Sequence, residues 1–119
     1  MPRIADYSII QQKAVRILGL DEIAWTMPNT LDRGSRSILG FILRLADIDN
    51  WVKLNVLING HVTYSRTFES DFYGTIIQVV KKNFLLHGEN IINFEVTAGE
   101  DLAVVVKVAD VVLWWQANI

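Results

Sequence analysis

Hydrophobic and polar positions alternate along most of this chain. The clearest case is WVKLNVLING, residues 51–60, where Val52, Leu54, Val56 and Ile58 share one parity and Lys53 and Asn55 the other, with Leu57. Period two marks a half-buried β-strand. Asn59-Gly60 then predicts a hairpin turn, and HVTYSRTF returns with Val62, Tyr64 and Phe68 on one parity and Arg66 as the exception. A two-residue Asn-Gly loop would pair Ile58 with His61 and turn Val62 to the wrong face. A three-residue loop, or a bulge just after the turn, keeps the apolar faces together.

Other segments extend the pattern. RSILGFILRLAD is apolar on both parities, which predicts a central strand covered on each side. FYGTIIQVVKK predicts a strand with Gly74 as a bulge site. NFLLHGEN is a connection centred on Gly88, and IINFEVTAG sets Ile92, Phe94 and Val96 inside. After the acidic turn Gly99-Glu100-Asp101, a last long strand is expected over about residues 102–116. In the first 37 residues, YSIIQQKAVRIL fits either a helix or a strand over residues 7–18; EIAWTM fits a short strand with Ile23 and Trp25 together; PNTLDRGS is a turn-rich loop. Seven or eight short strands without repeat or linker predict one all-β domain, an antiparallel β-sandwich over residues 1–119, with residues 1–35 packed on it as an N-terminal segment.

The adjacent pair Trp114-Trp115 divides between faces, because neighbours on a strand point opposite ways. Without a bulge, Trp114 enters the core and Asp110 is buried with it. A bulge at Asp110 reverses the parity and buries Trp115. Either way one tryptophan serves a second surface.

Composition changes this picture in three ways. Half of the 119 residues (51%) are hydrophobic and 20% are charged, which is rich for a small domain. Either a layer is covered on both sides or copies associate. The net charge is −2 and Lys81-Lys82 is the only adjacent basic pair, so no basic stripe for nucleic acid is visible. Cysteine is absent, which excludes disulfides and thiolate zinc sites. No signal sequence and no membrane-length apolar run are visible, and a cytoplasmic location is expected.

The stretch LNVLINGHVTYSRTF resembles the strand-turn-strand of galactose-binding-like jelly rolls, the sandwich of many carbohydrate-binding modules. There an L-x-V-x-x-N-G stretch precedes an L-x-x-G-x-N-x-I-x-x-x-V stretch. Here the first is Leu54, Val56, Asn59 and Gly60, and the second is Leu85, Gly88, Asn90, Ile92 and Val96. The final strand, VKVADVVLWWQ, also suits that group. The resemblance covers roughly residues 36–116 and implies a jelly-roll fold and carbohydrate as ligand class. No binding residue carries over from it, and the structural calcium site frequent in that group has no evident counterpart. Physically, Asn59, Gly60, Gly88 and Asn90 are turn residues.

Candidate chemistry is sparse. The spare aromatics are Trp25, Trp51, Tyr64, Tyr73 and Trp115, of which Trp51, Tyr64, Tyr73 and Trp115 are the expected ligand-binding residues. Asp47, Asp49 and Asn50 read as a polar turn, without the glycine and distal glutamate of a calcium loop. His61 and His87 fall in turns with no spacing that makes them converge on a metal. Glu69 and Asp71 share a face, yet a chain this short seldom provides a catalytic cleft. No nucleophile elbow or phosphate loop occurs. The expectation is a non-catalytic binding module for carbohydrate, with no cofactor and no metal. The alternative is a structural protein that forms a homo-oligomer through exposed apolar strand faces.

Overall fold

The computed structural model describes residues 3–48, 50–98 and 104–118. Asp49 and the Gly99-Glu100-Asp101 turn lie outside them. The described residues form nine strands: β1 (Arg3–Gln11), β2 (Val15–Arg16), β3 (Leu20–Met27), β4 (Ser37–Ala46), β5 (Val52–Ile58), β6 (His61–Phe68), β7 (Phe72–Val80), β8 (Gly88–Ala98) and β9 (Val105–Asn118). Two antiparallel sheets face each other. One has the order β1-β9-β4-β7, with β2 continuing β1 along β9; the other has the order β3-β8-β5-β6. No helix among the described residues is long and apolar enough to cross a membrane.

Inward rows from both sheets close one core. Leu39, Phe41, Leu43 and Leu45 of β4 meet Val52, Leu54, Val56 and Ile58 of β5, all at 2% exposure or less. Phe41 packs edge-on against Phe94 at 5.4 Å and Tyr64 at 6.1 Å. The period-two reading of β5 is therefore correct.

The Asn59-Gly60 hairpin takes the second of the two expected forms. Ile58 pairs with His61 and Leu57 with Val62, so the loop has two residues, with φ of 50° and 83°. Those left-handed angles suit a type I′ turn. A register shift between Val56 and Leu57 then matches Val56 to Tyr64, which returns Tyr64 to the inner side. Val62 is 58% exposed, because it lies before the shift. Arg66 shares Tyr64's parity and lays its guanidinium over Phe68 and Phe72, at 4.5 and 5.4 Å from the ring centroids.

Three expectations need correction. Residues 3–35 are not a segment resting on a finished sandwich: β1 and β2 form an edge of one sheet and β3 an edge of the other. Gly74 sits in an unbroken ladder opposite Leu43, with no bulge. Central strand β4 is covered on its inner side only, and Ile38 on its outer side is 43% exposed.

The turns around β8 are held by two amides. Asn90 is fully buried; its Oδ1 accepts from the Leu86 N–H (2.8 Å) and from Asn59 Nδ2 (2.8 Å), and its Nδ2 donates to the Leu86 and Gly88 carbonyls (2.8 and 3.1 Å). Asn59 also donates to the Phe84 carbonyl and accepts from the Ile91 N–H. Both asparagines act on backbone, as their turn chemistry implies.

Candidate functional site

The alternation of β5 sends its odd-numbered residues outward. Trp51, just ahead of the strand, is half-buried on the outer side near Lys53. Lys53 pairs with Thr67 of β6, and Glu69 follows that strand. With Asn50 these residues line an open depression of about 680 Å³. One row further on, the Ser65 hydroxyl donates to Asn55 Oδ1. An indole face thus lies beside an amide, an ammonium, a hydroxyl and a carboxylate. Such a set offers an apolar surface together with hydrogen-bond donors and acceptors.

The other aromatics singled out in the sequence lie elsewhere. Tyr64 is on the inner side of β6, and its hydroxyl is shut from solvent without a hydrogen-bond partner. Tyr73 is 76% exposed on the opposite sheet, beside Arg44 and Asp71. Trp115 is 5% exposed, and its indole N–H donates to Ser8 Oγ at 3.0 Å. The four residues do not come together. Trp51 and Tyr73 each have polar groups beside an accessible ring, on opposite sheets, and Trp51 has the wider set: an amide, an ammonium, a hydroxyl and a carboxylate. Lys53, Thr67 and Glu69 were not singled out as its neighbours, although their parity on a hairpin of known register would have indicated them.

The reason for Trp115 is a bulge. Asp110 has φ of 49°, and between the pairs Gly40–Val112 and Ile42–Ala109 two residues of β9 oppose the single residue Phe41. Parity reverses there: Val106 and Val108 point inward before the bulge, and Val111, Leu113 and Trp115 after it. Asp110 stays exposed, and Trp114 turns to the outer face at 44% exposure. Its ring lies over Gly40, where an added Cβ would stand 2.8 Å from Cζ3.

The remaining polar candidates have structural partners. Asp71 accepts the Ile48 N–H at 3.2 Å. His61 stacks on Phe84 at 4.5 Å, and His87 Nε2 donates to the Leu31 carbonyl at 2.8 Å.

No protein-family model and no curated protein matches the chain. Solved structures do match its shape. Dimeric latent PorU from Porphyromonas gingivalis aligns with a TM-score of 0.74 at 8% identity, over 99% of this chain and 13% of that one. The C-terminal domain of EclA, a sugar-binding protein, aligns at 0.59 and 9% identity, over 95% of this chain and 79% of that one. The CBM36-1 domain of a multidomain xylanase, from the hindgut metagenome of Trinervitermes trinervoides, aligns at 0.51 and 10% identity, over 99% and 100% of the two chains. The fold is an antiparallel β-sandwich of the jelly-roll kind. At these identities the likeness is one of architecture. Within this jelly roll the Trp51 depression sits at the β5-start, β6-end corner of the four-stranded sheet.

Proposed function

We propose that this jelly roll is a non-catalytic carbohydrate-binding module that seats a sugar in the Trp51 depression. The observation that supports this most is the company of Trp51: Asn50, Lys53, Thr67 and Glu69 around one accessible indole. A sugar ring has an apolar face that stacks on an aromatic ring and an equatorial belt of hydroxyls that needs mixed donors and acceptors. The shared fold with a sugar-binding domain and a xylanase module agrees with it. The depression is open, and Asp71 is engaged with backbone while Glu69 faces the depression, so the two carboxylates do not form a catalytic pair across a bound ring.

The test is a titration of tryptophan fluorescence against a panel of neutral and acidic oligosaccharides. At least one glycan is expected to shift the emission of the wild-type chain. Trp51→Ala should weaken that binding about tenfold or more, the scale of a lost stacking contact and its polar neighbours. Trp114→Ala, on the other sheet, should leave it unchanged. A panel with no response from the wild-type chain would refute the proposal, as would equal binding by Trp51→Ala.

A further inference from the structure

Among the described residues, no layer lies over the outer face of the five-stranded sheet. Across it run Tyr7, Trp114, Ile38 and Val79 in one row, paired strand to strand, and Ile9 and Ile77 in the next, either side of Val112 and Gly40. The first six are 43–67% exposed. Together they leave on the order of 600 Å² of apolar side chain open, the upper end for the largest patch on a monomer and near the ~800 Å² each partner gives a standard interface.

The charges on this face are mainly basic, with Asp110 of β9 and, just ahead of β7, Asp71 beside Arg44 as the exceptions. Arg16 of β2, Lys107 of β9 and Arg44 of β4 are directly paired across three neighbouring strands, all exposed. None of them has an ion pair among the described residues. Like charges placed opposite one another repel, so the row favours whatever brings negative charge to it. At the other end of the apolar rows, Arg36 and Lys81 flank Val79. Asp110 is the only carboxylate among the described outward positions of this sheet.

The four-stranded sheet presents the opposite chemistry. Glu22, Glu89 and Glu95 stand on the outer side of β3 and β8, with Leu20 (56% exposed) directly opposite Glu95, and those two strands carry no Lys or Arg. This half lies away from the Trp51 depression, which β5 and β6 supply.

We propose that the apolar, basic face of one copy packs on the acidic β3–β8 face of a second copy, head to tail. A two-fold dimer through the basic face is disfavoured by geometry. With the axis along the strands, the Arg44 row lies on its own copy. With the axis across them, it lies toward Arg36 and Lys81. Both set cation on cation. A head-to-tail contact joins unlike charges, covers the apolar rows, and leaves one face of each kind free to propagate a ring or a filament. The inference is independent of the sugar site.

The experiment is sedimentation velocity over a range of protein and salt concentrations. The wild-type chain should sediment above its 13.5 kDa mass, more so at high protein concentration, less so as salt is raised. Ile77→Asp and Glu95→Lys should each sediment as monomers while keeping the wild-type circular dichroism and melting temperature, since Ile77 is 67% exposed and Glu95 faces outward. Mixed in equal amounts, they should form a species of twice the chain mass and nothing larger, because one copy supplies the intact basic face and the other the intact acidic face. Three outcomes overturn the proposal: a wild-type chain that stays monomeric near millimolar concentration, an assembly that neither substitution affects, or two monomeric variants that do not combine on mixing. Salt-sensitive retention of a monomeric wild-type chain on a sulfated polysaccharide would assign the face to an acidic glycan instead.

Discussion

Replacing Asn90 with leucine tests whether the paired amides hold the β7–β8 connection to the hairpin. The substitution keeps the side-chain size and removes four hydrogen bonds: those from the Leu86 N–H and Asn59 Nδ2, and those to the Leu86 and Gly88 carbonyls. Asn59 keeps its bond to the Phe84 carbonyl. Three backbone groups then lose their partner next to a side chain that is fully buried. A buried polar group left unpaired costs roughly 1–3 kcal/mol. The loop is only partly covered and water can reach some of these groups, so the low end applies, and the sum is about 3 kcal/mol. For a domain of this size that lowers the melting temperature by about 10 °C. Urea and thermal denaturation followed by circular dichroism would measure it. Asn90→Asp should be similarly damaging, because it keeps the acceptor but points an oxygen at two carbonyls. A double-mutant cycle with Asn59→Ala should show coupling, since the two amides bond each other. If Asn90→Leu unfolds within about 0.5 kcal/mol of wild type, the spread expected of a surface change, the connection is held by its apolar residues and the amide account is wrong.

Three further substitutions address the aromatics and the bulge. Tyr64→Phe removes a hydroxyl with no partner, so stability should hold or rise by about 1 kcal/mol; a loss above that size, or weaker glycan binding, would mean that the hydroxyl has a partner in solution. Asp110→Gly relieves a left-handed backbone angle and should raise stability by about 1 kcal/mol, whereas Asp110→Val should lower it; equal melting of the two would remove the case for strain at the bulge. Trp115→Ala should cost about 3–5 kcal/mol and Trp114→Ala less than about 1 kcal/mol, with acrylamide quenching showing that Trp114 contributes to the accessible emission; the reverse order in urea titrations would place the wrong ring in the core.

Much of the sandwich can be read from parity. Val52, Leu54, Val56 and Ile58 announce their strand because one face is buried and the other is not, and the Asn-Gly turn narrows the hairpin to two registers, of which the structure uses the bulged one. Parity fails where the sequence does not say what lies beyond a face. The outer side of β4 reads as covered because Ile38 and Ile42 are apolar, yet apolar residues left open for a partner give the same pattern. Trp115 and Tyr64 read as ligand residues on type alone, and the core takes both, one by way of the Asp110 bulge and the other by way of the hairpin bulge. The basic row was invisible for another reason. Arg16, Arg44 and Lys107 are far apart in sequence, and only the register of three strands brings them side by side.

The Asp110 bulge ties the core to the uncovered surface. β9 is the longest strand, paired with β1, β2 and β4. Without an extra residue its inward row would run Val106, Val108, Asp110, Val112, Trp114, burying a carboxylate in the middle of the sheet. The bulge puts that carboxylate in solvent and restarts the apolar row at Val111, so Leu113 and Trp115 fill the core. The same shift delivers Trp114 to the outer face, and Gly40 is the residue that lets its ring lie down, since any side chain there would collide with it. A ring laid flat extends the apolar surface between Tyr7 and Ile38, the residues paired with Trp114 on either side. Shielding one tryptophan inside the sandwich and spreading the other over its outer face are thus two results of one added residue.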